Sequence, residues 1–320
     1  MKYRGQFLAG LALIIATASG HAQSYPDKPI RLIVPNAPAG LADISARLVA
    51  AKLTEALGQQ VIVDNRVGAG STIGTAMAVK AAPDGYTLLA VFDSHATNPH
   101  LFRNIEYDTL ADLAPISLLV RGPLLLAVHP KLSVKTVQDL VQIAKGKPGA
   151  LNFATVGPGS PARLLMELLK LEARIEVTNV PYKGAGPAVN DLIAGQVDAM
   201  FATVPTLSPH VKAGRLHAIA ITSEKRSPAV PGVPTMKETF PGFTAESWVG
   251  LLAPAKTPRA IIARLNSEGV KILAQPELKM RFAELGYETV GSSPAQFDRW
   301  IRVETERWGK VIREQKIAIE

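Results

Sequence analysis

Short β-branched runs alternate along this chain with longer stretches of helical periodicity. Ile30 to Val34 is an apolar run of strand length, and across residues 44–57 the apolar pairs Ile44/Leu48 and Val49/Leu53/Leu57 recur at four-residue steps, the spacing of one helix face. Gly58 ends that helix. Between strand and helix lies a Pro/Gly loop, residues 35–43. The pattern then repeats: residues 61–64 predict a second strand, 68–74 open a helix to Ala81, and 87–91 predict a third strand followed by a polar connection, 93–99. Residues 116–128, rich in Leu and Val and broken only at Arg121-Gly122-Pro123, read as strands that leave one sheet and enter another.

A second series begins at Thr136, whose spacing to Asp139 is that of a capping box on a helix to Lys145. Residues 152–154, 176–180, 197–202 and 218–222 predict strands, 161–171 a helix with proline at its first position, and a further helix ends near Gly195. The Pro-rich stretch 228–241 reads as a surface connection, after which 245–252 predicts a strand returning to the first sheet. Helices over 258–273 and 277–285 follow, with a last one from Pro294 capped by Ser293 and Gln296. That helix carries Phe297/Trp300/Ile301 and Trp308/Val311/Ile312 on one face, and its tryptophans read as packing residues.

Such alternation specifies parallel, doubly wound sheets. The expected fold is therefore α/β, two doubly wound lobes joined by a hinge: residues 27–125 with 246–320 as lobe 1, residues 126–245 as lobe 2, and the hinge near 124–128 and 246–252.

The N-terminus stands outside this alternation. Lys2 and Arg4 precede an apolar run, 7–16, and Gly20-His21-Ala22 supplies small residues where a signal peptidase reads, so residues 1–22 are expected to be a cleavable signal peptide. The run is too short to span a membrane. Removing the first 22 of 320 residues leaves 298, which at roughly 150 residues per domain fits two domains, in a soluble product outside the cytoplasm. The chain contains no Cys, which excludes disulfides, thiolate catalysis and Cys-based metal sites. Without Lys2 and Arg4, its 35 basic side chains become 33 against 27 acidic, a net of +6. They are scattered, with no nucleic-acid motif among them, and imply solubility with a mild attraction for anions.

Candidate chemistry concentrates at the strand–glycine loop–helix junctions, 35–43, 68–74 and 157–160, with Tyr182-Lys183-Gly184 as a fourth loop before a helix. Each leaves the first N–H groups of a helix unpaired at the positive end of its dipole, where open α/β sheets bind anions. Asp43 stands where an N-cap belongs, satisfying those N–H groups, holding the shape of a ligand cradle, or both. Gly68-x-Gly70-x-x-x-Gly74 lacks the strand context and downstream carboxylate of a dinucleotide site. No Gly-x-Ser-x-Gly elbow is present, and His95, His100, His129, His210 and His217 show no metal-ligand spacing. No metal or cofactor is expected. Ser160 reads as the N-cap before Pro161, while Arg163 and Lys183, each just after a glycine loop, are placed to complement a ligand carboxylate or to sit as solvated surface charges.

Tyr25-Pro26-Asp27-Lys28-Pro29-Ile30, the 35–43 loop, Val63-Asp64-Asn65-Arg66-Val67-Gly68-Ala69-Gly70, Pro83-Asp84-Gly85-Tyr86-Thr87-Leu88 and Pro181-Tyr182-Lys183-Gly184 resemble the Bug receptors. So do Gly195-Gln196-Val197-Asp198, Pro231-Gly232-Val233-Pro234-Thr235 and Trp248-Val249-Gly250-Leu251, a likeness that covers essentially the whole mature chain. These are the substrate-binding proteins of tripartite tricarboxylate transporters. The resemblance implies a monomeric periplasmic receptor with a type II-like binding-protein fold, not an enzyme, which closes its hinged cleft on a small carboxylate and delivers it to membrane transporter subunits. It places ligand contacts at Asn36, Pro38, Ala39, Gly40 and Asp43, at Gly157, Pro158, Gly159, Ser160 and Arg163, and at Tyr182 and Asp198.

The chain departs from the family pattern in its first loop, where Asn36, Ala39-Gly40 and Ala42 replace an aromatic residue, paired glycines and a threonine. Ala39 adds a Cβ where backbone must approach a carboxylate. Arg163 stands where the family often has histidine, which implies a wetter, more cationic pocket, suited to a ligand with a second carboxylate. Two other functions fit the sequence less directly: a ligand-sensing partner of a sensor kinase, and a secreted serine hydrolase using Ser160, for which no base is identifiable.

Overall fold

The computed structural model describes residues 25–38, 40–157 and 159–317; the expected signal peptide, Ala39 and Pro158 lie outside the described residues. In chain order the first half holds β1 (Ile30–Val34), α1 (Leu41–Leu57), β2 (Val61–Asn65), α2 (Thr72–Val79), β3 (Thr87–Phe92), α3 (Ser94–Leu101), β4 (Leu113–Val128), α4 (Val137–Gly146), β5 (Asn152–Val156) and α5 (Pro161–Ala173). Then come β6 (Thr178–Tyr182), α6 (Ala185–Ile193), β7 (Ala199–Thr203), α7 (Val204–Lys212), β8 (His217–Ile221), β9 (Glu246–Pro254), α8 (Arg259–Leu273), α9 (Pro276–Glu284), β10 (Glu288–Thr289) and α10 (Pro294–Glu314).

The fold is α/β, and β4 is the strand on which it turns. Its first half pairs antiparallel with β9, extending the parallel set β2-β1-β3 through the β3–β9 pairing. From Leu124 onward the same strand pairs with β7 on one side and β8 on the other, and β7 leads to the parallel β5 and β6. One continuous 16-residue strand thus serves both sheets, where the sequence suggested separate strands. Arg121-Gly122-Pro123 is no break because Gly122 and Pro123 pair with Ser247 and Glu246 at the end of the β9 ladder. The chain changes sheets at Pro123/Leu124 and Ala245/Glu246. The expected hinge segments, 124–128 and 246–252, lie inside strands on either side of these points.

Each lobe closes its own core. Leu32, Val34, Leu53, Leu88 and Phe282 are buried in lobe 1, and Phe153, Leu165, Phe201 and Phe243 in lobe 2. The last helix was expected wholly in lobe 1, but α10 straddles the two. Phe297 and Ile301 pack with Trp248 in lobe 1, whereas Trp308, Val311 and Ile312 join the lobe 2 core. Its apolar face is simply longer than one lobe is wide.

Two helices form outside those the sequence predicted, α3 in a stretch read as a polar connection and α7 in one left unassigned. Pro99 lies inside α3, which nonetheless forms because His95, Ala96, Thr97, Asn98 and Leu101 are buried and tertiary packing outweighs local preference. Pro205, in the first turn of α7, lacks an N–H that a helix start leaves unpaired anyway.

Candidate functional site

In both lobes the parallel strands end at the same edge, and the two edges face each other across a cavity of about 640 Å³. Six strand-to-helix junctions line it: β1–α1 with Asn36, Gly40, Leu41 and Ala42; β2–α2 with Gly70 and Ser71; β3–α3 with Phe92, Ser94 and Asn98; β5–α5 with Gly157, Gly159, Ser160 and Ala162; β6–α6 with Ala185; and β7–α7 with Thr203 and Thr206. Among the described residues no Asp, Glu, Lys, Arg or His lines it. An anion in this cleft would be held by backbone N–H groups and hydroxyls rather than by a countercharge.

At the first junction α1 starts three residues earlier than its periodicity suggested. Gly40 is the N-cap in extended backbone and offers no side chain, so the N–H groups of Leu41 and Ala42 at the cavity wall have no intrahelical acceptor. Asp43 is therefore not the N-cap but the third helical residue, 3% exposed. Its carboxylate accepts from Asn65 Nδ2 at 2.9 Å and, through both oxygens, from Arg47 Nε at 3.0 Å. Asn65 Nδ2 also donates to the Asn36 carbonyl at 3.0 Å, so Asp43 fixes the loop through Asn65.

The β5–α5 junction matches its expected chemistry. Ser160 caps α5, accepting from the Arg163 N–H at 3.2 Å and donating to the Gly157 carbonyl at 3.1 Å. Pro161 has no N–H, and that of Ala162 is left without an intrahelical acceptor. With Ser160 spent on backbone groups, no base among the described residues touches it.

Several expected site residues lie elsewhere. Arg163 is not part of the cavity wall: its guanidinium pairs with the buried Glu167 at 2.8 Å, to which Lys170 adds a second contact at 3.1 Å. The pocket is apolar rather than cationic because that charge is drawn along α5. Tyr182 ends β6, but its hydroxyl donates to Asp191 at 2.6 Å, and burial followed by this carboxylate pushes the phenol up to about 12. Asp198 precedes β7, at the edge of the lobe 2 sheet away from the cavity, where it accepts from the Asn152 N–H at 2.8 Å and pairs with Lys131 at 3.1 Å. Pro38 and Lys183 are exposed and outside the wall.

Sequence reasoning passed over the floor. Met200 to Thr203, Thr206, Leu124 and Ser247 gather there from β7, α7 and the two crossings. Behind Ser247 lies Asp93, whose carboxylate accepts from Ser247 Oγ and the Trp248 N–H, each at 2.8 Å; burial pushes its pKa well above the usual range. The Tyr287 hydroxyl lies between Ser247 and Thr203. The strand-to-helix junction after Phe92 was the available signal, hidden by Pro99.

Two α/β lobes with opposed carboxyl edges, joined by strand crossings and enclosing a cavity ringed by helix N-termini, define a bilobal solute-binding protein. Over residues 45–317 the chain matches the family described as "Tripartite tricarboxylate transporter family receptor" (TctC), and it belongs to that family. It is 40% identical to Protein BugT of Bordetella pertussis over 316 residues, 97% of each chain. Among solved structures it superimposes on "R. palustris Rpa4515 with adipate" with a TM-score of 0.84, at 34% identity over 92% of this chain and 100% of that one. For "MatC (Rpa3494) from Rhodopseudomonas palustris with bound malate" the TM-score is 0.80, at 32% identity over 90% of this chain and 100% of that one.

Proposed function

We propose that this protein is a periplasmic receptor that captures a small carboxylate between its lobes and hands it to the membrane subunits of a tripartite tricarboxylate-type transporter. The observation that carries this reading is the uncharged cavity ringed by six helix N-termini, with free N–H groups at α1 on one lobe and α5 on the other. A ligand bridging them gains contacts from both lobes only when the cleft is closed, so its binding shifts the open–closed equilibrium. Adipate and malate in the two related structures are carboxylates of suitable size. Binding without turnover is favoured by the engagement of Ser160 with backbone alone.

The test is thermal unfolding of the mature chain, refolded from denaturant to strip retained ligand, against mono-, di- and tricarboxylates. A carboxylate at 100 times its dissociation constant adds about 2.7 kcal/mol and moves the midpoint by roughly 5 °C. If no carboxylate moves it, the receptor reading fails.

A further inference from the structure

A second cavity, of about 520 Å³, opens beside the hinge and shares no described lining residue with the cleft. Both lobes build it. Lobe 1 gives Arg121 on β4, Lys279 and Ala283 on α9, and the turn into β10, while lobe 2 gives residues 226–229 after β8. Tyr287 stands in this wall with its hydroxyl at Ser247 and Thr203 of the cleft floor.

The cleft wall carries no charge among the described residues, whereas this one carries Arg121, Arg226, Lys279, Glu246 and Glu288. Arg226 is spent on Glu238, to which it donates twice, at 2.9 and 2.7 Å. The other four are poorly satisfied. The terminal nitrogens of Arg121 lie 3.4 Å from Glu246 and 3.6 Å from Glu288, and among the described residues the guanidinium makes no hydrogen bond. The Lys279 ammonium has neither an ion pair nor a hydrogen bond among them. Burial, opposed by Arg121, pushes the Glu246 carboxyl above its usual range, so that one guanidinium leaves its charge undercompensated.

Two cations and two carboxylates therefore remain, a balance that disfavours a simple ion. An anion would take Arg121 from both glutamates and leave them facing it, and a cation would strand Arg121 and Lys279 in the same way. A zwitterion strands neither pair: its carboxylate takes the guanidinium fork, and its ammonium replaces the arginine beside the glutamates. An α-amino acid carries both charges on one carbon, which matches groups set 3.4 and 3.6 Å apart. Pro123, Pro228, Ala229 and Ala283 line the rest with apolar surface for a side chain.

We propose that this cavity is a second binding site, separate from the cleft, for an α-amino acid with an apolar side chain. Arg121 and Lys279 hold its carboxylate, and Glu246 and Glu288 hold its ammonium group.

Calorimetric titration of the refolded mature chain with L-alanine, L-valine, L-leucine and L-phenylalanine tests this, with isocaproate and isoamylamine as leucine lacking one charge or the other. At least one amino acid is expected to bind. Arg121→Lys, which keeps the charge and loses the fork, should weaken it at least about tenfold, and Lys279→Ala, at an exposed position, about threefold. Isoamylamine should give no heat, and any heat from isocaproate, which can enter the cleft, should be unchanged in both variants. Silence from all four amino acids overturns the proposal. So does amino-acid binding that neither variant weakens, which would place it in the cleft, and so does isocaproate binding lost in both variants, which would make this a site for a plain anion.

Discussion

Asp43 acts on the cleft without lining it. Its carboxylate, 3% exposed, is where Asn65 and Arg47 meet, and Asn65 in turn holds the Asn36 carbonyl at the cavity wall. Asp43→Ala would leave a part-buried amide donor without that acceptor, at a cost of about 1–3 kcal/mol. The loop would also lose its anchor, so ligand affinity should fall with stability. Arg47 offers the contrast: its side chain is 53% exposed, and Arg47→Ala should cost under about 1 kcal/mol. Urea unfolding and calorimetric titration of both variants separate the two roles, and undiminished affinity in Asp43→Ala would contradict the anchoring one. The sequence placed Asp43 at this junction but gave it the wrong position. A cap is read from residue type, whereas Gly40 takes that place through backbone geometry and Asp43 is drawn inward by Asn65, a partner 22 residues away.

Among the elements, α10 couples the lobes most directly to the cleft. It meets α3 where Gly309 faces His100, and a Cβ on Gly309 would stand 2.5 Å from the His100 ring, whose Nε2 lies 2.8 Å from the Thr305 carbonyl on the same helix. Gly309→Ala must therefore push the His100 ring off the Thr305 carbonyl and press on α3, which carries Ser94 and Asn98 to the cavity wall. The expected outcome is a several-fold loss of affinity with unchanged circular dichroism, from a site outside the cleft. Gly269 on α8 supplies the control: a Cβ there meets nothing within 4 Å, and Gly269→Ala should stabilise by roughly 0.5–1 kcal/mol and leave binding alone. Equal affinities in the two variants would refute coupling through α10. The sequence revealed where this helix starts and the apolar face along it, since period and capping box are local. That the face serves two lobes was invisible, because period says which residues are buried and not against what. The same limit hid the cavity floor: Thr203 and Ser247 belong to strands distant in sequence and meet only at the sheet crossings.

At the scale of the molecule, the lobes touch at Gly159. This glycine, on the lobe 2 loop before α5, abuts α3 of lobe 1: a Cβ there would come within 2.6 Å of Leu101 Cδ1 and 3.7 Å of Thr97 Oγ1. The Leu101 tip can yield to one methyl, so Gly159→Ala should be tolerated. Gly159→Leu places a branched side chain where the two lobes meet, and the space it needs comes from opening the cleft. Of the buried core only Leu101, at its edge, is pressed, so each lobe should stay folded. If the ligand must contact α1 and α5 together, apparent affinity falls in proportion to the closed population that the leucine removes. Small-angle scattering should then show the wild-type chain becoming more compact on adding its carboxylate, Gly159→Ala doing the same, and Gly159→Leu remaining extended with weakened binding. A leucine variant that compacts and binds like the wild type would mean that closure brings the lobes together somewhere other than this loop, and that the N–H groups of α1 and α5 need not share one ligand.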